Sequence, residues 1–240
     1  MKLAIFDIDG TLTNTNIVDG QCFVRALEDA HGIREINTDW SQYPHTADSG
    51  IALRIFQERR GRAPDAAELT KLKERFIDLL VEERAADPAL FGEIPGAAAA
   101  FDKLRDEDGW AVAIATGCWR GSALLKLEAA GIQADGVPIA CADDFLSREE
   151  ILLDAASRAM ARYRQTEFEK IVSIGDGVWD VRTALRLGFS FLGIGSGSRQ
   201  KRLEAEGAQS VLEDYNDFAQ VIRCLNEAEI PQLPQNSEGV

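Results

Sequence analysis

The chain is short of the residues that staple, ligate or anchor. It has 4 cysteines and 2 histidines in 240 residues. Cys22, Cys118, Cys141 and Cys224 form no C-x-x-C pair, and their spacing suits neither a zinc site nor a small disulfide scaffold. They read as free thiols of a reducing cytosol, so the expected location is cytoplasmic. His31 and His45 have no metal-ligand company in sequence and read as structural or solvent-facing. No apolar stretch approaches the length that crosses a bilayer. The run 3–6 behind Lys2 stops at Asp7, too soon for a secretory signal. Positive charge is scarce as well: 26 Lys and Arg stand against 40 Asp and Glu, a formal charge of −14. That balance disfavours nucleic acid and anionic lipid as partners, because both are bound through clustered positive charge.

What remains is a globular composition, 45% hydrophobic and able to bury a sizeable core. Short apolar runs at 3–6, 111–115, 137–141, 171–174 and 189–194 end at small or acidic residues. Nearly continuous runs of this length suit strands buried on both faces. Amphipathic stretches at 97–105, 122–130, 149–162 and 179–187 alternate with them. The expected fold is therefore α/β, a doubly wound, Rossmann-like parallel sheet. The rhythm breaks after the first strand, where 18–30, 51–60 and 66–86 read as helices. The expected organisation is a core of 1–13 and 92–228, a helical insertion of 14–91 and a loose tail of 229–240.

The sharpest feature is Asp7-Ile8-Asp9-Gly10-Thr11, two carboxylates leaving the end of the first strand. A second acidic loop, Gly175-Asp176-Gly177-Val178-Trp179-Asp180, follows the strand at 171–174. In a parallel sheet both loops lie at the edge where ligands bind. Crowded carboxylates require a cation among them. Oxygen ligands without His or Cys favour a hard ion, and Mg²⁺ uses few carboxylates plus substrate phosphate. Thr116-Gly117 ends a third strand, where a hydroxyl and successive N–H groups cradle an anion. The run Gly193-Ile194-Gly195-Ser196-Gly197 lacks the full dinucleotide-binding pattern and reads as a loop.

These three loops, in this order, resemble the haloacid dehalogenase superfamily of phosphohydrolases. Within it, the insertion resembles the C1 cap of the phosphoglycolate phosphatase and β-phosphoglucomutase-like subgroup. The resemblance implies Asp7 as nucleophile and Asp9 as general acid and base. It implies Asp7, the Asp9 carbonyl and Asp176 as Mg²⁺ ligands, with Asp180 behind them orienting a water or a cationic neighbour. Thr116 and the Gly117 N–H would bind phosphoryl oxygens.

The chain departs from the family where a Lys is usual before the helix preceding the second acidic loop. Arg148 is the candidate there, or it is simply a charged residue in a first helical turn. Lys126 and Lys170 are the only lysines between the second and third loops; mid-helix and at the foot of a strand, neither suits the role. Arg120 is a further candidate for the phosphate. Cys118, beside the site, reads as a small buried residue rather than a nucleophile. Thr46, Asp48 and Ser49 resemble the cap's specificity loop, or cap the helix at 51–60.

The expected function is Mg²⁺-dependent hydrolysis of a small phosphorylated metabolite. A phosphomutase, a dehalogenase and a non-catalytic phosphate-binding protein are the alternatives. The absence of His near 14–19 weakens the first, and Asp9 speaks against the second. The retained Asp7, Asp9, Thr116 and Asp176 argue against the third. Monomer and homodimer both stay open.

Overall fold

The computed structural model describes residues 1–232. Its centre is a sheet of β1 (Lys2–Phe6), β2 (Trp110–Ala115), β3 (Ile139–Ala140), β4 (Ile171–Gly175), β5 (Ser190–Ile194) and β6 (Val211–Leu212). All pairs are parallel, and the order is β3-β2-β1-β4-β5-β6. The chain therefore builds outward from β1 in one direction and then, from β4, in the other. The crevice of such a sheet opens at this reversal, beyond the carboxyl ends of the strands. The loops after β1, β2 and β4 thus come from three neighbouring strands.

Strand side chains alternate between two layers. Leu3, Ile5, Ala111 and Ala113 enter one core, and Ala4, Phe6, Val112 and Ile114 enter the other. Both cores are dry, which is why these strands read as continuous apolar runs rather than alternating ones. Three helices lie between β1 and β2 in sequence: α1 (Asn16–His31), α2 (Asp48–Arg60) and α3 (Ala66–Ala86). Their apolar faces, including Phe23, Phe56 and Phe76, join the first core. α3 begins at a capping box in which Asp65 and Glu68 exchange side-chain and backbone hydrogen bonds.

The remaining helices are α4 (Ala97–Arg105), α5 (Arg120–Ala129), α6 (Arg148–Tyr163), α7 (Val178–Leu187), α8 (Ser198–Ala205) and α9 (Phe218–Glu227). α6 covers the first core through Ile151, Ala155 and Ala159, while α4, α5 and α9 cover the second. Among the described residues, no helix is long and apolar enough to cross a membrane.

The first stretch of the expected loose tail is tied down. Phe191 N–H donates to the Glu229 carbonyl, Gln232 N–H donates to Gly207, and Pro231 is buried. The rest of that tail lies outside the described residues.

Candidate active site

The loop after β1 is a tight turn wound on the Ile8 carbonyl, which accepts the N–H groups of Leu12 and Thr13, both at 2.9 Å. Asp7 N–H donates to Ile174 on β4, fixing the first carboxylate at the junction of the two strands. Gly10 stands at φ +73°, and a Cβ there would run into Asp176 Oδ2 and Asn16 Nδ2. Only glycine both adopts this backbone and lets the two acidic loops meet.

They do meet. Asp7, Asp176 and Asp180 offer carboxylate oxygens that all lie within 4.8 Å of one another. Burial, reinforced by Asp180 and Asp9 and opposed by Arg148, pushes the Asp7 carboxyl up to about 7. Asp176 is pushed to about 7, again mainly by burial, with Arg199 opposing. Asp180 rises to about 6 by burial, with Arg148 opposing and Asp176 adding. Such carboxyls retain protons near neutral pH unless a cation replaces them. Asp7 Oδ1 is buried without a hydrogen-bond partner. An all-oxygen donor set with an orphaned buried oxygen fits a hard divalent ion.

Arg148 opens α6 and reaches into this cluster. Its Nη1 lies 2.8 Å from Asp180 Oδ1 and 3.5 Å from Asp7 Oδ1. Its guanidinium lies over the Trp179 ring, 5.6 Å from the centroid. Asp180 Oδ2 also accepts the Gly177 N–H at 3.0 Å, so its carboxylate holds both the loop and the arginine. The cationic neighbour expected beside Asp180 is therefore Arg148.

Asp9 is held differently. Thr15 Oγ1 donates to its Oδ1, and Cys118 Sγ and Lys126 Nζ approach its Oδ2 at 2.7 and 2.8 Å. Burial raises the Asp9 carboxyl, but Lys126, Cys118 and Thr15 outweigh it and hold the group low. Lys126 also pairs with Asp19 on α1. Burial alone would depress its ammonium, yet Asp19 and Asp9 hold it well above its ordinary value. Burial pushes the Cys118 thiol up, the state of a neutral donor rather than a nucleophilic thiolate.

Thr116 is buried, and its hydroxyl accepts the Cys118 N–H at 3.2 Å. Gly117 and Cys118 face the cleft. Asp48 and Ser49 lie at the start of α2, but the expected side-chain cap does not form. Asp48 N–H donates to the Gly117 carbonyl at 2.7 Å, and its carboxylate accepts the Trp119 N–H at 2.9 Å. Ser49 is consumed by structure, donating to the Ala142 carbonyl and accepting from Trp119 Nε1. Thr46 faces the cleft, while its carbonyl meets Arg148 Nε at 3.4 Å. Arg120 turns away: its N–H donates to Asp143 and its guanidinium to the Ile139 carbonyl, and it does not line the cleft. That carbonyl lies on the edge strand β3, where Arg158 Nη1 also donates to it at 3.1 Å.

The sequence reading passes over Asn16, Asp19 and Arg199, and it sets aside Lys126, which the structure places on Asp9 and Asp19. Asn16 Nδ2 donates to Asp176 Oδ2 at 2.7 Å, and Arg199 Nη1 reaches the same oxygen at 3.0 Å. Lys126 and Asp19 complete the second cluster. Lys126 occupies the buried row Ala123–Lys126–Leu127 of α5, and a lysine in an apolar row requires a buried anion. His31 is structural, its Nε2 at 2.9 Å from the Glu68 carbonyl, and His45 is exposed. Asp7, Asp9, Asn16, Asp19, Asp48, Arg148, Asp176 and Arg199 are among the residues lining a cleft of about 560 Å³.

A family model described as haloacid dehalogenase-like hydrolase matches residues 1–188. No curated protein matches the chain. Among solved structures, a hydrolase from Pseudomonas syringae superposes with TM-score 0.70 at 22% identity, covering 93% of this chain and 98% of that one. CbbY from Rhodobacter sphaeroides, in complex with phosphate, gives 0.65 at 20% identity, with 93% and 98% covered. A predicted phosphoglycolate phosphatase from Haemophilus somnus 129PT gives 0.61 at 15% identity, with 92% and 98% covered. At these identities the likeness is one of fold.

Proposed function

This chain belongs to the haloacid dehalogenase-like hydrolase family, and on that premise we propose that it is a Mg²⁺-dependent phosphohydrolase acting on a small phosphomonoester. One observation carries the reading. The buried Asp7 has a carboxylate oxygen with no hydrogen-bond donor, 3.5 Å from the Arg148 guanidinium, in a cleft it shares with Asp176. That is the environment a carboxylate nucleophile for phosphorus needs, with positive charge close by and bulk water limited.

Asp7, Asp176 and the Asp9 carbonyl are the proposed Mg²⁺ ligands. When bound, the ion supplies positive charge that offsets repulsion between a carboxylate and a phosphate dianion. Arg148 orients the phosphoryl oxygens with its fork, and the Gly117 N–H and Thr116 hydroxyl donate to them. Asp7 attacks phosphorus as the bond to the leaving oxygen breaks, giving an aspartyl-phosphate. Asp9 supplies the proton to the leaving oxygen, then takes one from the water that frees Asp7 and releases phosphate. Lys126 holds Asp9 ionised, which suits the second step. For the first, Asp9 has to leave Lys126 and collect a proton. Segment 14–91 is the proposed cap, and Asp19, Phe23, Trp40, Thr46, Asp48 and Ile51 are among the residues it brings to the cleft.

The test is release of inorganic phosphate from an aryl phosphate, with Mg²⁺ and with chelator. Turnover is expected only with the metal, and Asp7→Asn should reduce it to background. Turnover that survives either change would overturn the mechanism.

A further inference from the structure

The phosphoryl end of the cleft is accounted for by Asp7, Arg148 and Asp176, but the space is far larger than one phosphate requires. The charges lining it are segregated by element. Its arginines come from α6, α7 and α8, and three of them are already paired: Arg148 with Asp180, Arg182 with Glu206, and Arg199 with Asp176. The lining from α1 through α2 contains no Lys, Arg or His. It presents Asp19 and Asp48, the aromatic rings of Phe23 and Trp40, and Ile51.

The Asp19 and Asp48 carboxylates are poorly compensated. Lys126 is the cation behind this wall; it is wholly buried, and Asp9 and Asp19 share it. Three carboxylates therefore face one ammonium. Asp48 receives the Trp119 backbone N–H and no cationic side chain. Burial, with Asp19 beside it, pushes its carboxyl well above the ordinary range, and a cation beside it would favour the charged form. Phe23 and Trp40 stand edge to face, their centroids 5.9 Å apart, so an aromatic surface adjoins the acids. Acids with aromatic faces are the chemistry that receives an organic ammonium. A carboxylate or second phosphate beside Asp19 and Asp48 would meet like charge, since Arg202, the fourth arginine of the lining, acts on Asp39.

We infer that the leaving group carries a positively charged amino group and no anion, so that the substrates are phosphomonoesters of amino alcohols or amino sugars. This rests on the phosphohydrolase reading and narrows it.

Matched pairs test it. O-Phosphoethanolamine and 2-phosphoglycolate differ in an ammonium against a carboxylate; glucosamine 6-phosphate and glucose 6-phosphate differ in an ammonium against a hydroxyl. With Mg²⁺, kcat/KM is expected to favour the amine at least 100-fold in the first pair and at least 10-fold in the second. Asp48→Asn and Asp19→Asn should each shrink the first ratio by 10-fold or more, chiefly through a higher KM for the amine. If aryl phosphate is hydrolysed but the amine is not preferred, or if neither variant moves the ratio, the inference falls and the phosphohydrolase reading stands. If aryl phosphate is not hydrolysed at all, both fall.

Discussion

Lys126 Nζ stands 2.8 Å from Asp9 Oδ2, and none of the lysine side chain is exposed. The pair joins α5 of the sheet layer to the loop after β1, and through Asp19 to α1. Lys126→Met would strand two largely buried carboxylates without their cation. Breaking a buried ion pair in this way costs about 3–5 kcal/mol, or roughly 10 °C of melting temperature for a chain of this size. Lys126→Met combined with Asp19→Leu should recover part of the loss, since the pair is then removed together. Thermal unfolding followed by circular dichroism checks this. A single variant that melts like the parent would show that the bridge contributes nothing.

Arg148 stands between Asp7 and Asp180. A fork that spans two carboxylates is not replaced by a point charge. Arg148→Ala is expected to lower kcat/KM on aryl phosphate by about 10²–10³-fold, the usual effect of losing one group that stabilises transition-state charge. Arg148→Lys should recover only part of it. Steady-state kinetics beside a circular dichroism spectrum separate this from misfolding, and an Arg148→Ala enzyme with parental kcat/KM would remove the residue from the site.

Asp7 and Asp176 bind protons up to about pH 7 when folded, against 3.8 for a free side chain. The folded chain thus holds extra protons between about pH 4 and pH 7. Without metal, its stability must fall as pH rises through that window. A divalent ion competes with those protons, so it should stabilise the fold more at high pH than at low pH. Melting temperatures at pH 5 and pH 8, in chelator and in saturating Mg²⁺, give the comparison. The rise on adding Mg²⁺ is expected to be larger at pH 8; equal rises would contradict the assignment of these carboxyls to the ion.

Much of this was legible because the core is dry and the turns are chemically marked. The runs at 3–6, 111–115 and 171–174 are strands within a residue or so of their bounds, and the acidic loops that follow them do converge. Short or polar elements gave less signal. β6 is two residues long, and α8 is almost wholly polar. α9 has a legible stripe in Phe218, Val221 and Leu225 but no counterpart among the expectations. Lys126 fails a motif search because its partners lie 117 and 107 residues away. Only its place in an apolar helical row hints at them. Arg120 fails in the opposite sense, close to the loop in sequence but bonded to an edge-strand carbonyl that it shares with Arg158. Ser49 looked free to meet a ligand, and Trp119 had already claimed it.

The bonds joining α2 to the loops after β2 and β3 have a consequence for stiffness. Asp48 N–H, Trp119 N–H, Trp119 Nε1 and Ser49 Oγ all find their partners across that seam. Sliding the two sides apart by a fraction of a bond length would leave all four donors dry and unsatisfied, and each costs about 1–3 kcal/mol until water arrives. Intermediate widths are therefore the worst ones. The seam is therefore stiff against small openings, and it fixes the start of α2 against the backbone of Gly117.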